Sequence, residues 1–344
     1  MKQRTLLITG GAGFIGVNTA RHFAASGWEV IVLDNLSRRG TEENLAWLQA
    51  NMPVRFERGD IRDAARAAEV VRNARPEAVL HLAAQVAVTT SVTDPRTDFE
   101  INALGTFNML EAVRQHSPES FFITASTNKV YGKMHGVEVV ERNGRYEYRD
   151  LTGGAGEDQP LDFHSPYGCS KGTADQYTLD YSRIYGLQTV AMRQSCIYGT
   201  RQFGIEDQGW VAWFTIAAVL GKAITIYGDG KQIRDVLHVD DLARAYEAAI
   251  EHRGSISGEA FNIGGGPGNT MSLLELLAQL EEDLHIKIPL KWADWRPGDQ
   301  PVFVCNISKA RERMAWGPQV GVRAGVHGLI GWVDQNRHLF DWLR

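Results

Sequence analysis

The chain has 344 residues, of which 44% are hydrophobic and 22% charged, and its formal net charge at pH 7 is −5. This length suffices for a sizeable core in one large or two modest domains, and the acidic balance excludes a basic nucleic-acid binder. The three scattered cysteines predict neither a disulfide framework nor a metal site. No apolar run reaches the ~18 residues of a membrane span, so we expect a cytoplasmic protein without membrane or nucleic-acid partners.

Strands alternate with helices along the first part of the chain, residues 1–192. We predict strands at 5–9, 29–34, 54–58, 78–82, 120–125 and 188–192, and helices at 14–26, 63–74, 98–116 and 167–185. Strands that alternate with helices favour a parallel sheet covered on both faces, and right-handed crossovers make it doubly wound. The predicted fold class is therefore α/β, with a doubly wound, Rossmann-type sheet.

The rest of the chain has a different pattern. Residues 133–165 are polar and glycine-rich, and we expect them to form an excursion near the mouth of a site. Long helical stretches at 209–221 and 271–283 mix with short strands, so residues 193–344 are predicted to form a second, smaller, mixed α/β substrate domain. The strand and helix predicted within 233–251 are expected to return to the first domain.

Glycine is enriched, with 35 residues, and its densest cluster follows the first strand and precedes the first helix. Gly10, Gly13 and Gly16 give the spacing G-x-x-G-x-x-G, which suits a tight turn, close approach of a diphosphate and close helix packing. The helix that starts at Phe14 and Ile15 would direct its first amides and its partial positive charge at that diphosphate. This arrangement predicts a dinucleotide cofactor.

An acidic residue completes the predicted cofactor site. Asp34 ends the second strand, 18 residues beyond Gly16, close to the ~20 expected for a carboxylate that binds the adenosine ribose. A carboxylate there, with Asn35 beside it, favours NAD and repels the 2′-phosphate of NADP. Arg38 and Arg39 follow closely and leave NADP open as an alternative.

A tyrosine and a lysine begin the helix predicted at 167–185. Tyr167 and Lys171 are four residues apart, which places both side chains on one helix face. A neighbouring ammonium favours the tyrosinate and lowers the tyrosine pKa from its usual value of about 10. We therefore predict that Tyr167 acts as a general base near neutral pH.

Several runs, taken in order, resemble the extended short-chain dehydrogenase/reductase family, the nucleotide-sugar epimerases and dehydratases. They are TGGAGFIG, DIRD, HLAAQ, INALGT, STNKVYG and SPYGCSK. The resemblance implies a tightly bound NAD and a homodimer or homotetramer. It also implies that Asp60 and Ile61 meet the adenine, that Asn102 supports the active-site helix, and that Thr127 binds the reacting sugar oxygen. The cofactor would further be lined by Leu82, Ala83, Ala84 and Gln85.

The residues after Thr127 discriminate between reactions of the family. Dehydratases resemble Thr-Asp-Glu here, whereas this chain has Asn128 and Lys129 and so lacks the acid and base for loss of water. The resemblance implies inversion at carbon 2 of a nucleoside-diphosphate hexose through a transient 2-keto sugar, with NAD taking and returning the hydride. The alternatives are a UDP-hexose 4-epimerase and, in another class, a non-catalytic NAD-bound sensor or scaffold.

A nucleoside-diphosphate sugar requires cations at its diphosphate. The resemblance assigns this role to Arg234 and Arg296, and Arg201 is a third candidate, although a lone arginine also forms structural ion pairs. The side chains expected to contact the sugar are Ser126, Asn128, Lys129 and His164.

Overall fold

The computed structural model describes residues 3–296 and 299–343. The strands, numbered along the chain, are β1 (Thr5–Thr9), β2 (Glu29–Asp34), β3 (Val54–Arg58), β4 (Ala78–His81), β5 (Phe121–Thr127), β6 (Val139–Arg142), β7 (Arg145–Tyr148), β8 (Thr189–Gln194), β9 (Cys196–Tyr198), β10 (Ile224–Tyr227), β11 (Ile233–His238), β12 (Glu259–Ile263), β13 (Thr270–Ser272), β14 (Leu290–Ala293) and β15 (Val302–Phe303).

The α-helices follow the same numbering. They are α1 (Phe14–Ala25), α2 (Thr41–Asn51), α3 (Ala64–Ala74), α4 (Val88–Thr93), α5 (Pro95–Phe99), α6 (Gly105–His116), α7 (Ser165–Tyr185), α8 (Trp210–Val219), α9 (Val239–Glu251), α10 (Arg253–Ile256), α11 (Leu273–Leu284), α12 (Ser308–Met314) and α13 (Val322–Gln335). A π-helical turn, Glu100–Leu104, joins α5 to α6, and 3₁₀ turns occupy Asn128–Tyr131 and Arg337–Leu343. Within the described ranges, no helix has both the length and the apolar character to span a membrane.

Seven strands form the central sheet, in the order β12-β8-β5-β4-β1-β2-β3, and every neighbouring pair is parallel. Leu6, Leu7 and Ile8 of β1 are fully buried. Such continuous apolar strands are typical of a parallel sheet with helices on both faces. The predicted α/β, doubly wound fold class is therefore confirmed.

Alternate strand residues contribute to two apolar layers, one on each face of this sheet. Leu6 and Ile8 pack in one layer with residues of α1, α2 and α9, such as Phe23. Leu7 packs in the other with residues of α3, α6 and α7, such as Leu110. Because side chains alternate along a strand, one short apolar sequence supplies both layers.

A smaller assembly lies at the carboxyl ends of the central strands. Strand β11 pairs with β9, β13 and β15, β10 pairs with β14, and α8, α11 and α13 share an apolar core of their own. The predicted excursion contains the hairpin β6–β7, which packs against β11 and β15. This assembly faces the central sheet across a cleft.

The chain crosses between the two regions more often than the sequence indicates. Within 233–251, β11 belongs to the smaller sheet, while α9 packs against α1. Strand β12 lies at the edge of the central sheet beside β8, although we assigned residues 193–344 to the second domain. Phe261 and Ile263 explain its placement, because both are fully buried in the central core. The domain division itself stays a prediction.

Candidate active site

The carboxyl ends of β1, β2, β4 and β5 open into a cavity of about 1440 Å³ between the two regions. Strands β1 and β4 are neighbours at the point where the strand order reverses, which is where ligands bind in open α/β sheets. The cavity exceeds the roughly 300–1,000 Å³ of a single-ligand pocket, so it has room for two ligands side by side. The predicted residues that line it are Gly10, Gly13, Phe14, Ile15, Gly16, Asp34, Asn35, Asp60, Ile61, Leu82, Ala83, Ala84, Gln85, Ser126, Thr127, Asn128, Lys129, His164, Tyr167, Lys171, Arg234 and Arg296.

The glycine turn is built for close backbone contact. Gly10 has a φ of +66°, and a Cβ there would lie 2.7 Å from the amide nitrogen of Ala83. A Cβ on Gly16 would lie 2.3 Å from the carbonyl oxygen of Gly10, so α1 packs directly on the turn. A Cβ on Gly13 would lie 3.1 Å from the same carbonyl oxygen, and Gly13 itself lines the cavity. The residue types therefore fit a diphosphate seated on the exposed start of α1.

Asp34 is held by backbone amides at the end of β2. Its carboxylate accepts hydrogen bonds from Ala12 at 3.0 Å and from Leu36 at 2.8 Å. Burial nevertheless raises the Asp34 pKa above its usual value. The guanidinium of Arg38 carries a compensating charge near this carboxylate and donates a hydrogen bond to Gln208 across the cleft. The cofactor loop thereby contacts the smaller region of the molecule.

Asp60 forms the adjoining part of the predicted adenosine pocket. Hydrogen bonds from Arg62 lower its pKa to about 2, so the carboxylate is fully ionised at neutral pH. Asn35 donates to the same carboxylate at 2.9 Å, and Ile61 is buried beside it. A polar edge next to an apolar surface suits a nucleoside, which has both kinds of surface.

The catalytic candidates Thr127, Tyr167 and Lys171 come from two elements that pack together, β5 and α7. Thr127 is the last residue of β5, and Tyr167 lies in the first turn of α7, with Lys171 one turn later. All three side chains are buried yet line the cavity. The ammonium of Lys171 donates to the carbonyl oxygen of Ala125 at 2.5 Å, which fixes the lysine against β5.

The pKa of Tyr167 differs from the prediction. Burial raises the Tyr167 pKa to about 12, and the opposing effects of a hydrogen bond with Thr127 and of the Arg38 charge are smaller. Burial also lowers the Lys171 pKa to about 8. The expected lowering of the tyrosine pKa is thus wrong for the protein alone, because removing the phenolate from water costs more than the Thr127 hydrogen bond and the Arg38 charge return.

The residues flanking Thr127 have separate environments. Ser126 donates to the carboxylate of Asp175 at 2.6 Å, so its hydroxyl is engaged by a structural ion pair beneath the cavity. The hydroxyl of Thr127 lies 3.4 Å from the amide oxygen of Asn128. Burial, with a smaller effect of the nearby Arg234 charge, lowers the Lys129 pKa. Lys129 and Arg234 together concentrate positive charge on the side of the cavity that is away from the glycine turn.

Two of the three arginines predicted to bind the substrate diphosphate reach the cavity. Arg234 lies on β11. The guanidinium of Arg296 stacks on the ring of Tyr227 at 3.8 Å and forms an ion pair with Asp207 at 3.2 Å. Arg201 lies outside the cavity, and its guanidinium packs 3.8 Å above the ring of Trp47. The side chain of Arg201 therefore lies against α2, and the structure does not bring it to the other predicted arginines.

Asn102 also lies outside the residues that line the cavity and is hydrogen-bonded to its neighbours. It sits in the π-helical turn and bonds to Gln85, to the buried carboxylate of Asp98 and to the hydroxyl of Ser170. Asp98 was missed by sequence reasoning. Its carboxylate accepts hydrogen bonds from Gln85 at 2.8 Å and from Ser170 at 2.5 Å. The sequence signal for such a residue was a charged side chain on the buried face of a helix.

The excursion forms one wall of the cavity, and the residues of that wall were not predicted from the sequence. Met134, Val137, Val139 and Tyr148 line the cavity from this segment, and Val302 of β15 lies next to them. The wall is mainly apolar, in contrast to the cationic patch of Lys129 and Arg234. The predicted placement of 133–165 near the site is thus supported by the lining residues.

The chain is similar to known proteins over nearly its whole length. Residues 6–264 match the NAD dependent epimerase/dehydratase family. The chain is 47% identical over 334 residues to CDP-paratose 2-epimerase of Salmonella typhi. The matched region covers 96% of this chain and 99% of that protein.

Solved structures of two epimerases are also similar to this chain. The UDP-glucose 4-epimerase of Thermotoga maritima, solved with UDP-glucose, superposes with a TM-score of 0.84 at 32% identity and covers 97% of this chain and 99% of its own. The Thermus thermophilus UDP-glucose 4-epimerase, solved with NAD, has a TM-score of 0.79 at 34% identity, with coverage of 95% and 98%. The glycine turn, the Tyr-Lys helix and these matches, which extend over nearly the whole chain, lead to one conclusion. The chain belongs to the NAD dependent epimerase/dehydratase family.

Proposed function

We propose that this protein is an NAD-dependent isomerase that inverts carbon 2 of a nucleoside-diphosphate hexose, with CDP-paratose and CDP-tyvelose as the favoured pair. The observation that carries the proposal is the 47% identity to a CDP-paratose 2-epimerase along 96% of the chain. That similarity includes both the cofactor side and the substrate side of the cavity. The grouping of Thr127, Tyr167 and Lys171 supplies the machinery for it.

Direct removal of a proton from carbon 2 is unfavourable, because a sugar C–H without an adjacent carbonyl is a very weak acid. Transient oxidation of the 2-hydroxyl avoids the difficulty. In our proposal Tyr167 takes the hydroxyl proton and later returns it, while the Thr127 hydroxyl orients the sugar oxygen. The 2-keto sugar then turns its other face before reduction, so the reaction has no net redox change.

Because the pKa of Tyr167 is raised in the protein alone, the complex with cofactor must supply charges that stabilise the phenolate. Bound NAD would supply the hydride acceptor and, in its oxidised form, a positive charge near the phenol. Lys171 contributes a second cation one helical turn away, and its own pKa of about 8 leaves it largely protonated at neutral pH. Both charges favour the phenolate, so we expect tyrosine ionisation to be coupled to cofactor occupancy.

Asn128 and Lys129 support an epimerase over a dehydratase. Loss of water from a keto sugar needs an acid and a base beside the sugar, and this chain places an amide and an ammonium at those two positions. Lys129 instead adds to the positive charge around Arg234. With Arg296, these side chains would bind the substrate diphosphate, and the apolar wall of the excursion would face the hexose.

We also propose that two copies of the chain pair through α6 and α7. Exposed apolar side chains on these helices are Phe107, Tyr177, Ile184 and Tyr185, and Phe107 meets Tyr177 edge to face at 6.0 Å. Adjacent exposed aromatic and aliphatic side chains of this kind mark interaction sites. The Tyr-Lys helix would then be buttressed by the partner, because Tyr177 lies on α7.

A UDP-hexose 4-epimerase remains the second candidate, because the Thermotoga maritima and Thermus thermophilus structures carry that name. The two candidates differ in the position of the keto group. Quenching turnover with sodium borodeuteride and locating the deuterium separates them: label at carbon 2 supports our proposal, and label only at carbon 4 supports the alternative. Absence of turnover on a panel of nucleotide sugars, with NAD bound, would support a non-catalytic sensor.

A further inference from the structure

Two ends of the excursion bring metal-ligating side chains together at the mouth of the cavity. His135 follows the 3₁₀ turn that continues β5, whereas Asp162 and His164 precede α7. Their ligand atoms all lie within 4.8 Å of one another. The Nε2 atom of His164 is 2.7 Å from Oδ2 of Asp162, and Nε2 of His135 is 3.9 Å from the same oxygen. The three residues converge on one point.

The backbone holds these segments in place. The amide of Asp162 donates to the carbonyl oxygen of Val130 at 2.9 Å, and that of Met134 donates to Tyr131 at 3.3 Å. Gly132 lies at the crossing with a φ of +57°, and a Cβ there would stand 2.0 Å from the carbonyl oxygen of Asp162. The two segments therefore meet at a distance that only glycine permits, which fixes the ligand-bearing residues independently of their side chains.

Two imidazoles and one carboxylate form a specific kind of ligand set. First-row divalent ions such as Zn²⁺ and Co²⁺ accept this combination, while Mg²⁺ and Ca²⁺ prefer sites made of oxygen atoms. Three protein ligands leave at least one coordination position open to water. The 26 residues between His135 and Asp162 lack the short spacing of metal motifs, which is why the sequence predicts no metal site.

We propose that His135, Asp162 and His164 bind one exchangeable divalent transition-metal ion, of the Zn²⁺ or Co²⁺ class. The ion would join the start of the excursion to the segment that leads into α7. Gly132, Lys133, Met134 and His164 line the cavity, so the ion would also stiffen the wall that substrate passes. This places the site beside the catalytic residues and separate from them, because Tyr167 and Thr127 provide no ligand.

Cobalt binding tests the proposal. Tag-free protein is titrated with CoCl₂, and the visible absorption bands of four- or five-coordinate Co²⁺ report on binding, with ZnCl₂ as competitor. We expect one Co²⁺ per chain, displaced by Zn²⁺. Replacing a residue that only hydrogen-bonds to a metal ligand already costs ~10–100-fold in metal affinity, so His135→Ala, which removes a direct ligand, should weaken binding at least about 100-fold.

The chain offers a matched control. His327 is 75% exposed against 78% for His135, and it pairs with Asp283 at 3.4 Å on another face of the molecule. His327→Ala should leave Co²⁺ affinity unchanged, and His135→Gln should repeat the loss seen with His135→Ala. Thermal melting verifies that each variant is folded. Wild-type affinity in either His135 variant, an equal loss in His327→Ala, or no Co²⁺ binding by the wild type would overturn the proposal.

Discussion

Asn102 and Gln85 bind each other through two hydrogen bonds. The amide nitrogen of Gln85 donates to Oδ1 of Asn102 at 2.9 Å, and Nδ2 of Asn102 donates to the carbonyl oxygen of Gln85 at 3.0 Å. This exchange anchors the loop after β4, which lines the cofactor side of the cavity, to a π-helical turn. Single π-helical turns within helices are frequent at functional sites, and here the turn presents Asn102 to the loop.

Asn102→Ala should loosen cofactor binding without unfolding the protein. The change leaves both backbone groups of Gln85 without their partner, at about 1–3 kcal/mol for each unsatisfied buried group. We expect at least a tenfold faster loss of NAD on dilution, measured by mass spectrometry of the retained nucleotide. Asn336→Ala, at the end of α13, provides a control. Retention equal to that of the wild type would refute the anchoring role.

Tyr167→Phe should lower kcat by about 10²–10⁴-fold, the usual contribution of a general acid or base, while NAD stays bound. Tyr177→Phe on the same helix is the matched control, because Tyr177 is exposed and faces away from the cavity. In the wild type, kcat should rise with pH along an acidic limb, because the base is the phenolate. A variant at full activity would exclude Tyr167 as the base.

Arg234 and Arg201 should give opposite phenotypes. Arg234→Ala removes a cation from the cavity, so KM for the nucleotide sugar should rise about 10–100-fold, corresponding to ~1.5–3 kcal/mol for a hydrogen bond to a charged group. Arg201→Ala should leave KM unchanged and lower the free energy of unfolding by about 0.5–2 kcal/mol, because it loses its contact with Trp47. A comparable rise of KM in both variants would contradict the assignment.

Ile184→Glu should disrupt self-association. Ile184 is 62% exposed at the end of α7, and a carboxylate placed inside an apolar interface is costly to bury. Light scattering after size exclusion should show a dimer or larger assembly for the wild type and a monomer for the variant. Ile286→Glu, an exposed isoleucine beyond α11, serves as control. An unchanged mass for Ile184→Glu would place the interface elsewhere.

His81 should make the fold sensitive to acid. Its Nδ1 atom lies 2.8 Å from Oγ1 of Thr9 and its Nε2 atom 3.0 Å from Oγ1 of Thr106, and burial lowers its pKa to about 3. Below the unfolded pKa of about 6.5, the unfolded chain binds a proton that the folded chain does not. Stability contributed by His81 is therefore complete above pH 6.5 and falls as the pH decreases toward 3, by up to ~1.4 kcal/mol per pH unit.

Urea unfolding between pH 7 and pH 5 measures this effect. His81→Gln should be less stable than the wild type at pH 7, because it cannot reproduce both threonine contacts, but its stability should depend less steeply on pH. His252→Gln is the control. Parallel pH dependences for the wild type and His81→Gln would show that His81 does not carry the acid sensitivity.

The cofactor side could be predicted from sequence because its determinants are local. Gly10, Gly13 and Gly16 lie in one short turn, and Asp34 ends the next strand, so regular strand and helix geometry suffices to bring them together. Tyr167 and Lys171 share one helix face for the same reason. The sheet itself follows from short apolar strands that alternate with helices.

The substrate side depends on contacts between distant parts of the chain. In the sequence, Arg201 is close to residues that line the cavity. Its side chain, however, packs on the ring of Trp47 outside the cavity. Asp98 gains its role only because the π-helical turn and α7 meet, and the Tyr167 pKa follows from burial that a helical spacing cannot show. The pairing of β12 with β8 was not predicted, because a five-residue strand carries little signal of its partner.

The central claim concerns the carbon that is inverted, and one labelled substrate tests it most directly. CDP-paratose that carries deuterium at carbon 2 is incubated with the purified NAD-bound protein in ordinary water, and the product is examined by NMR. We predict inversion at carbon 2 with the deuterium retained there, because Tyr167 exchanges only the hydroxyl proton and the hydride never reaches solvent. Inversion at carbon 4, or replacement of the deuterium by solvent hydrogen, would contradict the proposed function.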